Sequence, residues 1–258
     1  MNDQVPLYDA FGEEYDVMVD WDERLKNETP FLRAQLERVG ARRLLDVGSA
    51  TGRHAVHLAS LGYEVVGADP SAVMVRRAEA NARGAAGVRF VRAGFGGLRA
   101  ATEGAFDAAL CLGNTLPHVR SQADLLGSLR DIAAVLRPGG LLVVQLLNYD
   151  RILAEGRRFL GLTQGAAAGR EYLFFRFYDY HEGGLTFNVA ILQRAGPGSW
   201  GWRVESTRLQ PVLSSQLEES LAATGFGSVH LYGSYGGEAY RALTANDLIV
   251  VAERASGA

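Results

Sequence analysis

A doubly wound, mostly parallel α/β sheet is the fold class that this sequence predicts, and three observations carry the prediction. Short apolar runs ending in polar residues or glycine recur along residues 44–148. Stretches with helical apolar spacing, at 52–61, 71–83 and 121–136, separate them. The runs are nearly continuous in apolar character rather than alternating, as strands covered on both faces require. Right-handed crossovers then bring the loops after successive strands to one edge of the sheet, where ligands of such folds bind.

Each element has a local reason. The strands are LLDVG (44–48), YEVVGAD (63–69), VRFVRAG (88–94), FDAALCLG (106–113) and GLLVVQLLN (140–148). The helix over 121–136 ends at RPGG, because Pro138 cannot continue it and the glycines allow a tight entry into the next strand. Residues 170–213 break the alternation. There REYLFFRFYDY and LTFNVAILQR flank HEGG, a hairpin signal, and WGWRVESTRLQPV reads as a third antiparallel strand. A helix at 214–224 and strands at 226–233 and 247–253 complete the chain. The organisation expected is an N-terminal helical lid (1–40), a main domain (41–150 with 214–258) and an inserted antiparallel lid (151–213).

Bulk properties exclude several classes. A chain of 258 residues, 48% apolar, buries a core well past the marginal regime. A net charge of −3 and a pI near 6.0, with cations scattered among acids, disfavour nucleic acid as a partner. The single Cys111 closes no intramolecular disulfide. The start, MNDQVPLYDAFGEEYD, lacks a secretory pattern, and no apolar run approaches the roughly 18 residues of a spanning helix. A cytoplasmic protein without membrane contact is therefore expected, acting on a small molecule and compatible with a homo-oligomer.

The chemistry concentrates in LLDVGSATGRH (44–54). A dinucleotide fold needs G-x-G-x-x-G after its first strand; here the spacing is Asp46-x-Gly48-x-Ala50-x-Gly52, a different turn. Asp69 ends the second strand and suits a ribose diol, followed by Pro70; its alternative is to cap the helix near Ser71. His54 and His57 share a helix face without a third ligand, so no metal is expected.

The loop resembles motif I of the class I S-adenosylmethionine-dependent methyltransferases. That resemblance implies a Rossmann-like, seven-stranded sheet, S-adenosyl-L-methionine as cofactor and S-adenosyl-L-homocysteine as product. It sharpens at CLGNTLPHV (111–119) and LRPGGLLVVQLLNYDRIL (136–153), which are similar to segments of the glycine and glycine/sarcosine N-methyltransferases, and covers roughly residues 8–153. By the same resemblance Asp46 meets the cofactor's ammonium group and Arg24 its carboxylate. Tyr8 and Tyr15 cover the cofactor, and Leu112, Gly113, Asn114 and His118 line cofactor and substrate. Asn114 and His118 are the candidate catalytic pair, orienting or deprotonating the acceptor.

Departures from the family pattern are informative. Ala50 replaces the middle glycine. Gly94 stands where an acid or amide usually meets the adenine, leaving Phe95 to stack on it. Leu147 replaces the arginine that holds the carboxylate of glycine, which argues against glycine as substrate; Arg151, one turn on, is the candidate substitute. Asn148, Tyr178 and Tyr235 complete the substrate-side candidates, with Tyr240 beside them. On one face of the first lid segment, REYLFFRFYDY, Tyr172, Phe174, Tyr178 and Tyr180 line up, and on the other Phe175 and Phe177. N-methylation of a small amine is the expected reaction. The alternatives are a small-molecule O-methyltransferase, an NAD-dependent dehydrogenase, and a non-catalytic S-adenosylmethionine-binding protein.

Overall fold

The computed structural model describes residues 6–11 and 14–256. The first five residues of the expected N-terminal lid, with Gly12 and Glu13 inside it, lie outside the described residues. The chain opens with α1 (Pro6–Phe11), α2 (Glu14–Met18) and α3 (Trp21–Arg38). Asp20 caps α3, its carboxylate accepting from the Glu23 amide at 3.1 Å.

The alternating segment follows as β1 (Arg43–Val47), α4 (Arg53–Ser60), β2 (Glu64–Asp69), α5 (Ala72–Asn81), β3 (Val88–Arg92), α6 (Leu98–Ala101) and β4 (Phe106–Cys111). A 3-10 turn, Leu116–His118, leads to α7 (Gln122–Val135), β5 (Leu136–Leu147) and α8 (Tyr149–Glu155). Next come β6 (Phe159–Ala167), β7 (Arg170–His181), β8 (Gly184–Ala195) and β9 (Gly201–Leu209). The chain closes with α9 (Ser214–Ala222), β10 (Phe226–Tyr232) and β11 (Asp247–Arg254).

Seven strands form the main sheet in the order β10-β11-β5-β4-β1-β2-β3. Its β1–β5 neighbours all pair in parallel, and β11 runs antiparallel between β5 and β10. Order reverses between β1 and β4, so the loops after these two strands diverge and leave a crevice at their carboxyl ends. The doubly wound expectation is met, and the reason is visible in single strands. Leu44 and Leu45, adjacent in β1, belong to two different cores, one packed with Phe31, Leu32 and Leu36 of α3, the other with Leu129 and Ile132 of α7. Both faces of β1 are thus covered, and its apolar run needs no polar alternation.

The remaining strands form a separate antiparallel sheet, β6-β7-β8-β9. The hairpin at HEGG is present: His181 pairs with Gly184, and Gly183 takes a left-handed φ of 82°. Three strands were expected here and four are found. FLGLTQGAA has little β-branched or aromatic content and is largely exposed, with a register shift between Phe159 and Leu162. Pairing with β7, rather than its own propensity, makes it a strand. Helices α6 and α8 are likewise additions to the sequence reading. They are 4 and 7 residues long, too short for periodicity to reveal.

Candidate active site

The loop from β1 to α4 makes the floor of the site. Gly48 takes φ 71°, and a Cβ there would stand 2.3 Å from Thr115 Cγ2, so the residue must be glycine both for conformation and for the approach of the next loop. Ala50 also adopts a left-handed φ, 47°, so the replacement of the family glycine is accommodated by strain rather than by a different turn. The Ala50 amide donates to Asp69 Oδ2 at 2.9 Å and the Ser71 amide to Oδ1 at 2.8 Å. Asp69 is therefore anchored by backbone. The cap of α5 is Ser71, whose hydroxyl accepts from the Met74 amide at 3.1 Å. Each Asp69 oxygen keeps acceptor capacity for a ligand.

A cavity of about 300 Å³ opens above this floor. Its wall includes Tyr15, Arg24, Asp46, Gly48, Ala50 and Asp69, and continues through Pro70, Gly94, Phe95, Leu112, Gly113 and His118. Of the expected cofactor residues, Gly52 stays outside the wall; it precedes α4 and packs on Phe90. Gly94 has a spatial reason: a Cβ there would come 3.2 Å from Pro70 Cβ, so the acid or amide of the family pattern has no room without movement of Pro70.

Charge is distributed unevenly. Burial pushes Asp46 and Asp69 each up to about 6. Asp46 Oδ2 is buried with no hydrogen-bond partner, an orphaned acceptor beside the cavity that a bound ammonium group would satisfy. Arg24 Nε binds Glu28 Oε1 at 2.8 Å, and Glu28 Oε2 meets His54 Nε2 at 2.7 Å. Burial works to raise Glu28, yet its hydrogen bond and charge contact with His54, together with Arg24, outweigh that and hold it below the usual range. With Nε committed to Glu28, the Nη ends of Arg24 lie near Gly113, where a Cβ would come 3.4 Å from Nη2. A fork presented this way suits a carboxylate. His54 and Trp21, read from sequence as structural or not read at all, both border the cavity. Spacing held the signal for Glu28: it stands four residues after Arg24 on α3, one turn along the same face.

Near His118 the wall holds hydroxyls and a neutral imidazole, with Arg120, Asp124 and Arg208 also lining the cavity. Tyr8 OH and His118 Nε2 are 2.9 Å apart. Burial lowers His118 to about 4 and raises the Tyr8 hydroxyl above its ordinary value. Asn114, at φ 64°, has both ends of its amide engaged: Nδ2 donates to Tyr149 OH at 2.8 Å, and Oδ1 accepts from the Leu147 amide at 3.1 Å. It is a brace between β5 and α8 rather than part of the cavity wall. Tyr178 is fully buried beside Tyr149, and its hydroxyl forms no well-aligned hydrogen bond.

Several substrate-side expectations are corrected. Asn148 caps α8, accepting from the Arg151 amide at 3.1 Å, while its Nδ2 donates to the Ala242 and Ala245 carbonyls. Tyr240 donates to Asn148 Oδ1 and Asp150 Oδ2, at 2.6 and 2.7 Å. Arg151 is committed to Glu155, the Thr244 carbonyl and Asn246, so it does not take over from the missing arginine. Tyr235 packs edge-on against Phe31, with ring centroids 5.7 Å apart, beside Glu28 and outside the cavity wall. Leu147 packs among Tyr149, Tyr178 and Leu185. Sequence spacing placed all of these near the sheet edge; only their partners showed which were already spent. No cluster of three metal-ligating side chains occurs among the described residues.

The cavity therefore presents the carboxylates of Asp46 and Asp69 and the guanidinium of Arg24 around a glycine floor, groups that would complement the ammonium, ribose and carboxylate of S-adenosylmethionine. Comparison with known proteins agrees. A family model described as "Methyltransferase domain" matches residues 44–140. The glycine/sarcosine N-methyltransferase of Halorhodospira halochloris is 33% identical over 188 residues, 69% of this chain and 70% of that protein. Among solved structures, a S-adenosylmethionine-dependent methyltransferase from Clostridium acetobutylicum superposes with a TM-score of 0.74 at 13% identity, over 95% of this chain and 96% of that one. The S-adenosylmethionine-bound amino pentose methyltransferase from Micromonospora echinaspora gives 0.68 at 22% identity, over 98% and 99%. At these identities the superpositions speak for the fold, and the curated relative for the lineage. With the motif I loop, the sheet order and the relative in agreement, the chain belongs to the class I S-adenosylmethionine-dependent methyltransferases and, within them, resembles the glycine/sarcosine N-methyltransferases.

Proposed function

We propose that the enzyme methylates the nitrogen of a small amine other than glycine. The observation that carries this reading is the desolvated, neutral imidazole of His118 in the cavity wall, pushed down to about 4 beside Tyr8. An amine needs no strong base once it is neutral, and burial favours its neutral form. A phenol, with a pKa near ~10, or an alcohol would need a base matched to it, which an imidazole near 4 does not supply. Leu147 in place of an arginine counts against glycine itself, because the glycine carboxylate would be buried without a counter-charge there.

Arg24, Asp46 and Asp69 would hold the cofactor by its carboxylate, ammonium and ribose groups, with Phe95 and Leu112 against the adenine. S-adenosylmethionine supplies the methyl group, already activated on sulfonium. The chain's own contribution is alignment and exclusion of water. In this reading His118 and Tyr8 orient the nitrogen lone pair, and Asn114 acts indirectly by fixing Tyr149. The segments over residues 1–40 and 151–213 act as lids that close the cavity.

The test is product identification by mass spectrometry after incubation with S-adenosylmethionine and a panel of primary amines, amino sugars, glycine, sarcosine and phenols. N-methyl products without glycine turnover support the reading. A methyl ether from the phenols sinks it.

A further inference from the structure

The acceptor class can be narrowed from the inner face of the antiparallel sheet, in an argument that rests on the amine reading and deepens it. Alternation along β7 puts Phe174, Arg176 and Tyr178 on one face, and Phe174 and Tyr178 are fully buried there. The same face borders the cavity, since Thr207, in the cross-strand row of Tyr178 and Phe187, is part of the cavity wall. At one end this face packs with Leu7 and Phe11 of α1, and at the other with Tyr149 and Ile152 of α8. Arg176 stands in the row between.

Arg203 and Arg176 share this face, but their surroundings differ. Arg203 binds Glu14 at 2.6 Å and Glu205 at 3.3 Å. Arg176 forms no hydrogen bond or ion pair among the described residues, although its Nε is buried. Its cross-strand neighbour is Val189. Burial lowers its pKa, with only the Tyr178 hydroxyl working the other way. Buried polar atoms without partners gather on this face: besides Arg176 Nε and Tyr178 OH there are Thr163 Oγ1, in the row of Phe174, and Gln193 Oε1, in the row of Tyr172. Arg176 is half-buried with no protein partner for its buried Nε, and the Tyr178 hydroxyl beside it has only a poorly aligned contact with Tyr149, so the pair keeps capacity for an anion.

We propose that Arg176, with the Tyr178 hydroxyl, receives a carboxylate of the methyl acceptor, so that the acceptor is an amine carrying its acid several bonds away from the nitrogen. Glycine is too short for this. The position of its counter-ion is occupied by Leu147, packed against Tyr178, whereas Arg176 stands one further row along β7, about 7 Å on. The chain thus exchanges an arginine on the β5 edge for one on the second sheet, and acceptor length shifts with it.

Matched probes test the proposal: 4-aminobutyrate against 4-aminobutanamide, and 6-aminohexanoate against 6-aminohexanamide. Each is titrated calorimetrically into the full-length protein saturated with S-adenosylhomocysteine. The acids are expected to bind about tenfold or more tightly than their amides, and Arg176→Gln to erase that preference while S-adenosylhomocysteine affinity is retained. Arg176→Lys is expected to restore part of it. A second readout needs no acceptor: Arg176→Met removes a half-buried charge whose buried Nε has no partner, so the ligand-free Tm is expected to rise by about 2–4 °C. Equal or absent binding of acids and amides overturns the anion site, as does a fall in Tm of the methionine variant. Failure of the wild type to bind S-adenosylhomocysteine would instead overturn the methyltransferase reading beneath it, so the two failures are distinguishable.

Discussion

The two ends of the cavity solve the problem of buried polarity in opposite ways. At the cofactor end the charges are held by fixed partners, with one Asp46 oxygen and the Nη ends of Arg24 left over. Asp69 holds two backbone amides, and Arg24, Glu28 and His54 form a chain of contacts at 2.7–2.8 Å. At the other end His118, near 4, stands neutral beside the Tyr8 hydroxyl, and outside the cavity wall, on the neighbouring sheet, Arg176 has no ion-pair partner among the described residues. A site that binds the same cofactor in every turnover can be preorganised by its own backbone. A site that, in the proposed reading, must desolvate an amine is left incomplete until the acceptor arrives.

Removing a charge from the preorganised end is expected to have the largest effect. Asp69→Ala should weaken S-adenosylhomocysteine binding at least tenfold, about 1.4 kcal/mol by calorimetry; an unchanged affinity would remove the ribose role. Next in size is a pH effect at the same end. Asp46 and Asp69 are raised to about 6, so at pH 5 both are largely protonated and an ammonium ligand must displace a proton. Affinity for S-adenosylhomocysteine should rise between pH 5 and 7 and level off above, and Asp46→Asn should flatten the curve. The sign for stability is the reverse. A folded pKa above the ordinary aspartate value of 3.8 means the native state binds more protons between about pH 4 and 6, so these two groups stabilise the ligand-free protein at low pH and lose that contribution as pH rises through 6.

Intermediate in size is His118→Asn, which acts on the incomplete end. It should lower kcat about tenfold with S-adenosylhomocysteine affinity unchanged, and the wild-type rate profile should carry no inflection near the ordinary imidazole value. A clear inflection there would return His118 to the role of general base. Glu28→Gln tests whether pairing matters as much as charge. By loosening Arg24 it should cost about threefold to tenfold in S-adenosylhomocysteine affinity, and little further loss should appear when it is combined with Arg24→Ala. The smallest effect is expected for Ala50→Gly. It relieves a left-handed alanine while adding chain freedom, and should move stability by no more than about 1 kcal/mol in thermal melts.

Legibility follows the same division. The parallel sheet could be read because β1, β4 and β5 are apolar on both faces, a property each strand carries by itself. Asp46, Gly48 and Asp69 could be read because they stand at fixed offsets within one strand-loop-helix unit. Strand β6 escaped because its pairing with β7, not its composition, makes it a strand. Asn148 and Arg151 were misassigned because a cap and an ion-paired arginine have the same letters as substrate ligands.

The sequence by itself determined the doubly wound core, the turn beneath the cofactor and the absence of an arginine at position 147, since these depend on residues close together in the chain and on alternation within single strands. The tertiary structure alone decided which polar groups were already satisfied. Hydrogen-bond capacity is used up by partners far apart in sequence, as Asn148 is by Tyr240 and Arg203 by Glu14. What is left over, at Asp46, Tyr178 and Arg176, becomes visible only when every partner is in place.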